Sequence, residues 1–470
     1  MVCYLSSEPK LQKDKGYAWL IMVLSFLSHF VSIGFTFGVI GNLTTIHSQF
    51  FNIGLQQSSL IGNIHTTTVF LFAPVASILV KKAGCRMTQI FGGICLILGL
   101  SLLSLATKQW HAICLFGILA GMGVSTTYVA SSSILSVHFL KYQYFAFSFA
   151  SLGSFIGNSV WPMLCQYLFD TMGYSRAVAY FSIFHILHVI AGLSFCEVSQ
   201  SESEPIDEKI SEAEGGVDAA GDKKLELSII DGGYSNHAFK NTGEDAEENK
   251  KEETDSEDAS PATVQQTDAS SSVSKSLLAL ARLPKVWMLL VNFLLWNSCS
   301  NTFHILINDY LMKYTDLADT DVTWAVVVLG IAKIVGSLLV VALSSLQFDR
   351  LNLHFFTVIL YSVMTVVVPY CTGKESCYAV IAVFGMSFAM SISNLLAVVT
   401  EFCHVDLIPL LFGLLLLSES VGGLAGTSLY TLLAVKTEEQ YGLVLAGCAG
   451  VLGSLLLLPE MIRRVRGSEK

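Results

Sequence analysis

The sequence predicts an all-α membrane protein with twelve transmembrane helices, arranged as two six-helix bundles around one acidic central loop. Of its 470 residues, 53% are hydrophobic and only 14% are charged, and the mean hydropathy is +0.59. Soluble domains carry about 25% charged residues, so this chain cannot cover a water-exposed surface. Its apolar residues also come in runs of about 20, the length that a helix needs to cross a bilayer.

Twelve such runs mark the predicted spans, near residues 17–41, 59–80, 87–106, 112–137, 144–168, 177–196, 285–308, 322–346, 353–371, 378–400, 408–434 and 441–460. The predicted organisation follows from them: an N-terminal tail (1–16), a first six-helix bundle (17–196), a central loop (197–276), a second six-helix bundle (277–460) and a C-terminal tail (461–470).

The formal net charge of −10 is concentrated in the central loop. Residues 197–276 contain 21 Asp and Glu against 7 Lys, a balance of −14, and the rest of the chain has a balance of +4. A segment so polar and so poor in aromatic residues cannot bury enough apolar area to offset its ordering entropy. We therefore expect a disordered, solvated tether between the two bundles.

The Lys and Arg residues outside this loop predict the orientation in the membrane. Twelve of them lie on the two tails and on loops predicted to be on the same side of the membrane as the termini. Five lie on loops predicted to be on the opposite side. Positive charge marks the cytoplasmic side, so both termini are predicted to be cytoplasmic. The predicted location is a multi-pass membrane protein of the plasma membrane.

Several other classes of protein find no support in the sequence. There is no nucleophile elbow, zinc-ligand helix or phosphate-binding loop, so we do not expect an enzyme. No basic patch with interleaved aromatic residues points to nucleic acid. The eleven cysteines are spread singly without metal-ligand spacing, so we expect no metal and no cofactor. Cys371 and Cys377 flank a short loop predicted to face outside, where a disulfide could form.

Four short motifs resemble those of the monocarboxylate transporter family. The segment from Asp14 to Trp19, DKGYAW, resembles the family's [D/E]-G-[G/S]-[W/F]-[G/A]-W signature, and that from His138 to Ala146, HFLKYQYFA, resembles the signature that opens the fifth span. The turn KKAGCR at 81–86 is similar to the family's R-F-G-C-R, and FGLLLLSE at 412–419 is similar to its eleventh span. The resemblance implies the major facilitator fold, with a substrate site between the two halves at mid-membrane.

Lys333 is the residue that we expect to carry function. Of the 27 Lys and Arg residues, it alone lies in the middle of a predicted span. A cation in lipid costs at least ~3 kcal/mol, so by default it faces a cavity. Ser337 lies one turn away on the same helical face. Pairing with a carboxylate that only holds the halves together is the alternative interpretation.

Glu419 is the expected electrostatic partner of Lys333, and the resemblance carries this position over from the lactate-transporting members, which also have Glu there. A carboxylate in an apolar cavity holds a proton more readily than one in water. We therefore name Glu419, and Glu401 at the end of the tenth span, as proton-coupling candidates.

Polar residues at helical spacing along spans one, four, seven and ten complete the candidate site, because these helices line the pore in facilitator-type proteins. The candidate substrate-binding residues are Lys333, Ser337, His29, Phe35, Phe37, Tyr128, Asn297, Asn301, His304, Ser391 and Asn394. Helix–helix contact is the alternative interpretation of any single stripe.

The sequence departs from the lactate-type pattern where the substrate charge is bound. Those members have a lysine in span one, where this chain has Phe35 to Phe37. They also have an aspartate–arginine pair in span eight, where Lys333 and Ser337 stand here. The anion-binding charge would then lie one turn along the same helix.

Three functions remain open. The first is a carrier of a small organic anion, a monocarboxylate or related carboxylate metabolite, working by alternating access and coupled to protons. The second is a facilitator for neutral or zwitterionic solutes, such as aromatic amino acids. The third is a non-transporting sensor or scaffold. Besides substrate, proton and lipid bilayer, the resemblance makes a single-pass immunoglobulin-type ancillary subunit a candidate partner.

Overall fold

The computed structural model describes residues 13–196 and 276–468, apart from positions 279, 316, 345–348, 372, 404, 427, 431–432 and 434–438. The predicted acidic loop, except for its last residue Ser276, lies outside the described residues. All regular secondary structure in the described part of the chain is helical.

The first half contains six long helices, because its apolar runs can satisfy their backbone hydrogen bonds within a bilayer only as helices. We number them α1, Tyr17–Phe51 with a break at Ser32; α2, residues 55–83 with a break at Phe72; α3, residues 85–103; α4, Gln109–His138; α5, Gln143–Met172; and α6, Tyr174–Ser194.

The second half begins with a short connecting helix, Ser276–Arg282, which meets the next helix at an angle of 83°. Its long helices are α7, Pro284–Tyr314; α8, Asp319–Leu343; α9, Arg350–Tyr370; α10, Lys374–Thr400; α11, Ile408–Val421, continued by a π-helical turn at Gly422–Gly426; and α12, Glu439–Leu455. A further helix, α13, covers Leu458–Ser468.

The predicted spans correspond to these helices. Nine helices in the described residues are long and apolar enough to cross a membrane, and the bent pair at 276–307 makes a tenth. Residues 55–83 and Gln143–Met172 lie where the sequence predicts spans two and five. Large apolar side chains such as Ile331, 58% exposed, form the outer surface, as lipid contact requires.

A glycine forms the tight turn between α2 and α3. Gly84 has φ +81° and ψ +166°, a conformation that L side chains rarely adopt. The KKAGCR segment therefore places Lys81 and Lys82 at the end of α2.

The two halves contact each other on the membrane face where α1 begins and α13 lies, which we call the termini face. There Ser148 Oγ of α5 donates to the carbonyl oxygen of Ser393 in α10 at 3.4 Å. The guanidinium carbon of Arg350 in α9 lies 4.3 Å from the ring centroid of Tyr144 in α5. Nearer the membrane centre, the rings of Tyr128 and Phe412 are 5.6 Å apart.

The disulfide considered for Cys371 and Cys377 does not form. Both residues are free thiols, and Cys377 Sγ donates to the carbonyl oxygen of Cys371 at 3.5 Å.

Candidate functional site

Lys333 lies near the middle of α8, on the face that points toward the other half. Gly330 packs against α5 and Gly336 packs against α10. When α8 is viewed along its axis, Lys333 projects in a direction between those of the two glycines. Ile331 and Leu338, which are 58% and 48% exposed, mark the lipid-facing side opposite to it. The Lys333 side chain is 8% exposed. Its ammonium therefore points between the bundles and not into lipid.

The surroundings of the ammonium are aromatic. Lys333 Nζ lies 5.5 Å from the ring centroid of Phe388 in α10, and its charge interacts with the His304 imidazole of α7. The His304 ring packs 5.5 Å from Phe384 and 5.1 Å from Phe388. In the part of the chain that the structure describes, Lys333 Nζ makes no hydrogen bond or ion pair with protein. Among the described residues, the ammonium therefore makes a cation–π contact with Phe388.

Glu419 does not pair with Lys333, although the sequence predicted it as the partner. Lys333 lies on α8, which packs against α5, whereas Glu419 lies on α11, which packs against α2. The two side chains therefore occupy opposite flanks of the interface between the halves. Glu419 is 4% exposed, and among the described residues its Oε1 has no hydrogen-bond partner.

The backbone and side chain of Glu419 have different roles. Asn297 Nδ2 of α7 donates to the Glu419 carbonyl oxygen at 2.6 Å, which ties α7 to α11 at this level. The side chain interacts electrostatically with Tyr128 of the first half. The ring of Tyr128 packs against His29 at 5.0 Å, and His29 Nε2 is 3.2 Å from Ser132 Oγ. Titratable groups of the two halves thus interact electrostatically across the interface.

The remaining candidates on the interface are Asn301 and Phe37. A Cβ built on Gly423 of α11 would lie 2.9 Å from Asn301 Nδ2, so the amide fits against bare backbone. Phe37 is 42% exposed, and its nearest aromatic neighbour is Phe70 of α2, at 6.1 Å. On α1, Phe37 lies between the face that packs against α2 and the face that packs against α5. This part of the α1 surface is directed toward the second half.

Four candidates point away from the interface or are tied to neighbouring helices, and the expectation that they line the pore is corrected. Phe35 is 1% exposed and packs against Trp161, Phe181 and His185 inside the first half. Ser337 Oγ bonds Ser393 Oγ of α10 at 2.8 Å, Ser391 Oγ bonds His354 of α9 at 3.1 Å, and Asn394 Nδ2 donates to the Arg350 carbonyl at 2.7 Å.

Glu401 lies on the termini face and not in the cleft. Its Oε1 accepts from the Arg350 backbone N–H at 3.1 Å, and its Oε2 accepts from Arg464 Nη1 of α13 at 2.5 Å. Burial raises the pKa of the Glu401 carboxyl, and the Arg464 guanidinium acts against that shift. This geometry suits a residue that holds the termini face together.

The aromatic wall around Lys333 and a group of buried histidines in the first half were not predicted from the sequence. Thr36 Oγ1 is 3.1 Å from His65 Nε2, and Ser28 Oγ is 3.0 Å from His188 Nδ1. Gln89 Nε2 donates to Ser28 Oγ at 2.9 Å. A histidine in an apolar run signals a polar contact, but its spacing does not say which helix supplies the partner.

Two further features bear on what could bind. A cavity of about 520 Å³ between α2, α4 and α11 is lined mainly by apolar side chains: Leu60, Asn63, Ile64, Thr67, Thr68, Leu71, Phe72, Ile118, Met122 and Leu424. The described residues contain no group of three or more His, Cys, Asp or Glu arranged to hold a metal ion.

Comparison with known proteins identifies the fold family. The family model of the Major Facilitator Superfamily matches residues 25–427. A proton:xylose symporter superposes with a TM-score of 0.67 at 11% identity, covering 94% of this chain and 95% of its own. The Fucose:proton symporter of E. coli gives 0.64 at 14%, covering 94% and 98%.

The relatives in sequence are monocarboxylate transporters. Monocarboxylate transporter 6 of Mus musculus is 28% identical over 170 residues, which is 36% of each chain. Monocarboxylate transporter 9 of Mus musculus is 30% identical over 160 residues, 34% of this chain and 31% of the relative. The matches thus span about a third of the relatives' length, and they confirm the divergent resemblance that the motifs predicted. This chain belongs to the major facilitator superfamily, and within it is similar to the monocarboxylate transporters.

Proposed function

We propose that the protein is a secondary transporter that moves a small organic anion, a monocarboxylate or a related carboxylate metabolite, together with a proton. The observation that carries the proposal is the Lys333 ammonium, held near the middle of α8 between the two halves without a protein anion beside it in the described residues. A buried cation without a counter-charge is costly. A substrate carboxylate would supply that counter-charge.

The neighbours of Lys333 suit an anion with an apolar or planar body. The carboxylate would bind Lys333 Nζ, with the His304 imidazole beside it. Phe384 and Phe388 would contact the rest of the molecule. Asn301 would donate to a polar substituent from the α7 side. Because these groups belong to three helices of the second half, the first half would close over the ligand from α1 and α4.

Glu419 is the proposed proton site. Its Oε1 is buried without a partner in the described residues, and a carboxyl in such a place is more stable neutral than charged. It interacts electrostatically with Tyr128 of the first half, so its surroundings change when the halves move apart. Proton and anion would then cross together as a pair without net charge.

Transport by alternating access requires the contacts on the termini face to open. Those contacts join α5 to α9 and α10 through Tyr144 and Ser148. We place the protein in the plasma membrane with this face toward the cytoplasm. A single-pass immunoglobulin-type subunit is a candidate partner for surface delivery.

The proposal is tested by uptake into proteoliposomes driven by an inward proton gradient. Labelled carboxylates of three to eight carbons are each compared with the uncharged amide of the same skeleton. Saturable uptake of at least one carboxylate, and none of its amide, is expected. Lys333→Gln should reduce that uptake at least about tenfold, the loss expected for removing one charge-assisted contact.

The matched control is Lys108→Gln, which removes a lysine from an exposed position between α3 and α4. It should transport like the wild type. If Lys333→Gln and Lys108→Gln have the same flux, Lys333 does not bind the substrate and the proposal fails.

A second candidate is favoured by the aromatic lining alone. Phe384 and Phe388, with Phe37 across the interface, would also suit a neutral or zwitterionic aromatic solute. Uptake of phenylalanine or its amide that is insensitive to the proton gradient would select this facilitator over the anion carrier.

A further inference from the structure

One contact on the termini face joins the first half to the point where the chain enters the second half. Lys81 Nζ, at the end of α2, donates to Ser276 Oγ at 2.8 Å. Ser276 is the first residue of the connecting helix and the last residue of the segment whose composition predicts a solvated tether. Both side chains are half-buried.

Lys81 faces a second group of the second half. Its charge interacts with Asp406, an exposed residue just before α11. A single lysine of the first half thus donates to a hydroxyl and interacts electrostatically with a carboxylate, and both of these groups belong to the second half. The hydroxyl is the only one of these three groups that a cell can convert into a dianion.

We propose that Ser276 is a phosphorylation site, and that its phosphate clamps Lys81 and holds the termini face closed. A protein kinase would transfer the γ-phosphoryl group of a nucleoside triphosphate to Ser276 Oγ. The new P–O bond replaces the bond to the nucleoside diphosphate leaving group, and the hydroxyl proton passes to the kinase base. The serine gains a charge of about −1.5 to −2 and three strong acceptor oxygens.

The direction of the effect follows from which interactions change when the face opens. Ser276 and Asp406 lie on the same half, so their mutual repulsion is similar in the open and closed states. Lys81 lies on the other half, so its attraction to the phosphate is lost on opening. The phosphate therefore favours the closed state. Since the group lies near the surface, added salt should weaken the effect.

Access for a kinase depends on the residues before Ser276. The predicted tether would bring an extended substrate segment up to this serine. The hydrogen bond from Lys81 to Ser276 joins half-buried groups, and the net contribution of one such bond to stability is small enough for it to be released for a kinase. The inference rests on the predicted cytoplasmic orientation, and its role in regulation rests on the proposed transport function.

The test reads the opening of the face directly, without a substrate. Ser148→Cys places a thiol at the contact of α5 with α10, where the native side chain is 1% exposed. The maleimide labelling rate at that position, measured by mass spectrometry of its peptide, reports how often the face opens. Phosphoserine is then introduced at position 276 by codon suppression. Phosphoserine at position 256, in the middle of the predicted tether, is the control.

Phosphoserine at 276 should slow labelling about tenfold, within the range of typical coupling between sites. Phosphoserine at 256 should not. In a Lys81→Gln background the effect of phosphoserine at 276 should vanish. The inference is overturned if labelling is unchanged, or if it slows equally without Lys81. A transport proposal that failed for lack of carboxylate uptake would leave this labelling result standing.

Detection of the modification completes the test. Protein purified from cells with phosphatase inhibitors should yield a phosphopeptide that contains position 276 and disappears in Ser276→Ala. A peptide fully covered but never phosphorylated there would remove the site.

Discussion

Replacing Tyr144 by leucine should loosen the contact between the halves on the termini face. The Arg350 guanidinium lies 4.3 Å from the Tyr144 ring centroid, and the Arg350 side chain is only 4% exposed. Cation–π contacts contribute about 0.5–1 kcal/mol at exposed sites and about 2 kcal/mol when desolvated. With one partner buried and the other half-buried, the loss should be about 1–2 kcal/mol.

That loss corresponds to a 5- to 30-fold change in an equilibrium, at about 1.4 kcal/mol per factor of ten. The assay is the maleimide labelling rate in the Ser148→Cys background, one helical turn from Tyr144. If opening and closing are fast compared with labelling, the rate follows the population that is open. Labelling of the Tyr144→Leu protein should therefore be about 5- to 30-fold faster.

Tyr144→Phe is the matched control, because it keeps the ring and removes the hydroxyl. It should label within about threefold of the wild type, since phenylalanine retains the cation–π contact. Equal labelling rates for the leucine and phenylalanine variants would contradict this prediction. The ring would then contribute nothing to closure.

Three further predictions concern the site and the packing. Glu419→Gln keeps the backbone carbonyl that Asn297 binds, so the variant should fold normally. It should lose proton-driven uptake but retain exchange of carboxylate across the membrane. Persistence of proton-driven uptake would exclude Glu419 as the proton site. Ser391→Ala, on the α9 side of α10, should leave the KM for substrate unchanged, since a raised KM would mean that this hydroxyl reaches the cleft. Gly157→Leu should lower the Tm in detergent, because its Cβ would lie 2.5 Å from the Phe30 carbonyl oxygen. Gly41→Ala should leave the Tm unchanged, because a Cβ at that position meets nothing within 4 Å. Equal Tm values for the two variants would contradict close packing of α1 on α5.

The sequence predicted the fold because the bilayer allows few alternatives. A run of about 20 apolar residues must be a helix, and its position along the chain is visible directly. The same reasoning located Lys333, since one charge within such a run must face away from lipid. Gly84 was predictable as a turn because a glycine between basic residues interrupts two apolar runs.

The rotation of each helix was harder to predict. The residues Ser391 and Asn394 share a face of α10 as their spacing indicates, but that face meets α9 and not the cleft. A polar stripe has the same spacing whether it lines a pore or binds a neighbouring helix. Only the packed structure tells which helix lies opposite.

Partners across the two halves were harder still. Lys333 and Glu419 were paired on charge alone, yet they lie on opposite flanks because α8 meets α5 and α11 meets α2. The cation–π contact of Lys333 with Phe388 has no sequence signature, since phenylalanine is common in any span. Glu401 was placed correctly at the end of α10, but nothing in its spacing revealed Arg464 beyond α12.

The most direct test of the central claim is equilibrium binding of a carboxylate to the purified protein. Binding of a transported carboxylate would be measured by calorimetry for the wild type, Lys333→Gln and Lys333→Arg. We expect the glutamine variant to bind the carboxylate at least about tenfold more weakly, and the arginine variant to keep measurable affinity. An unchanged Kd in Lys333→Gln would exclude Lys333 as the anion-binding residue, because the anion would then be held by some other group.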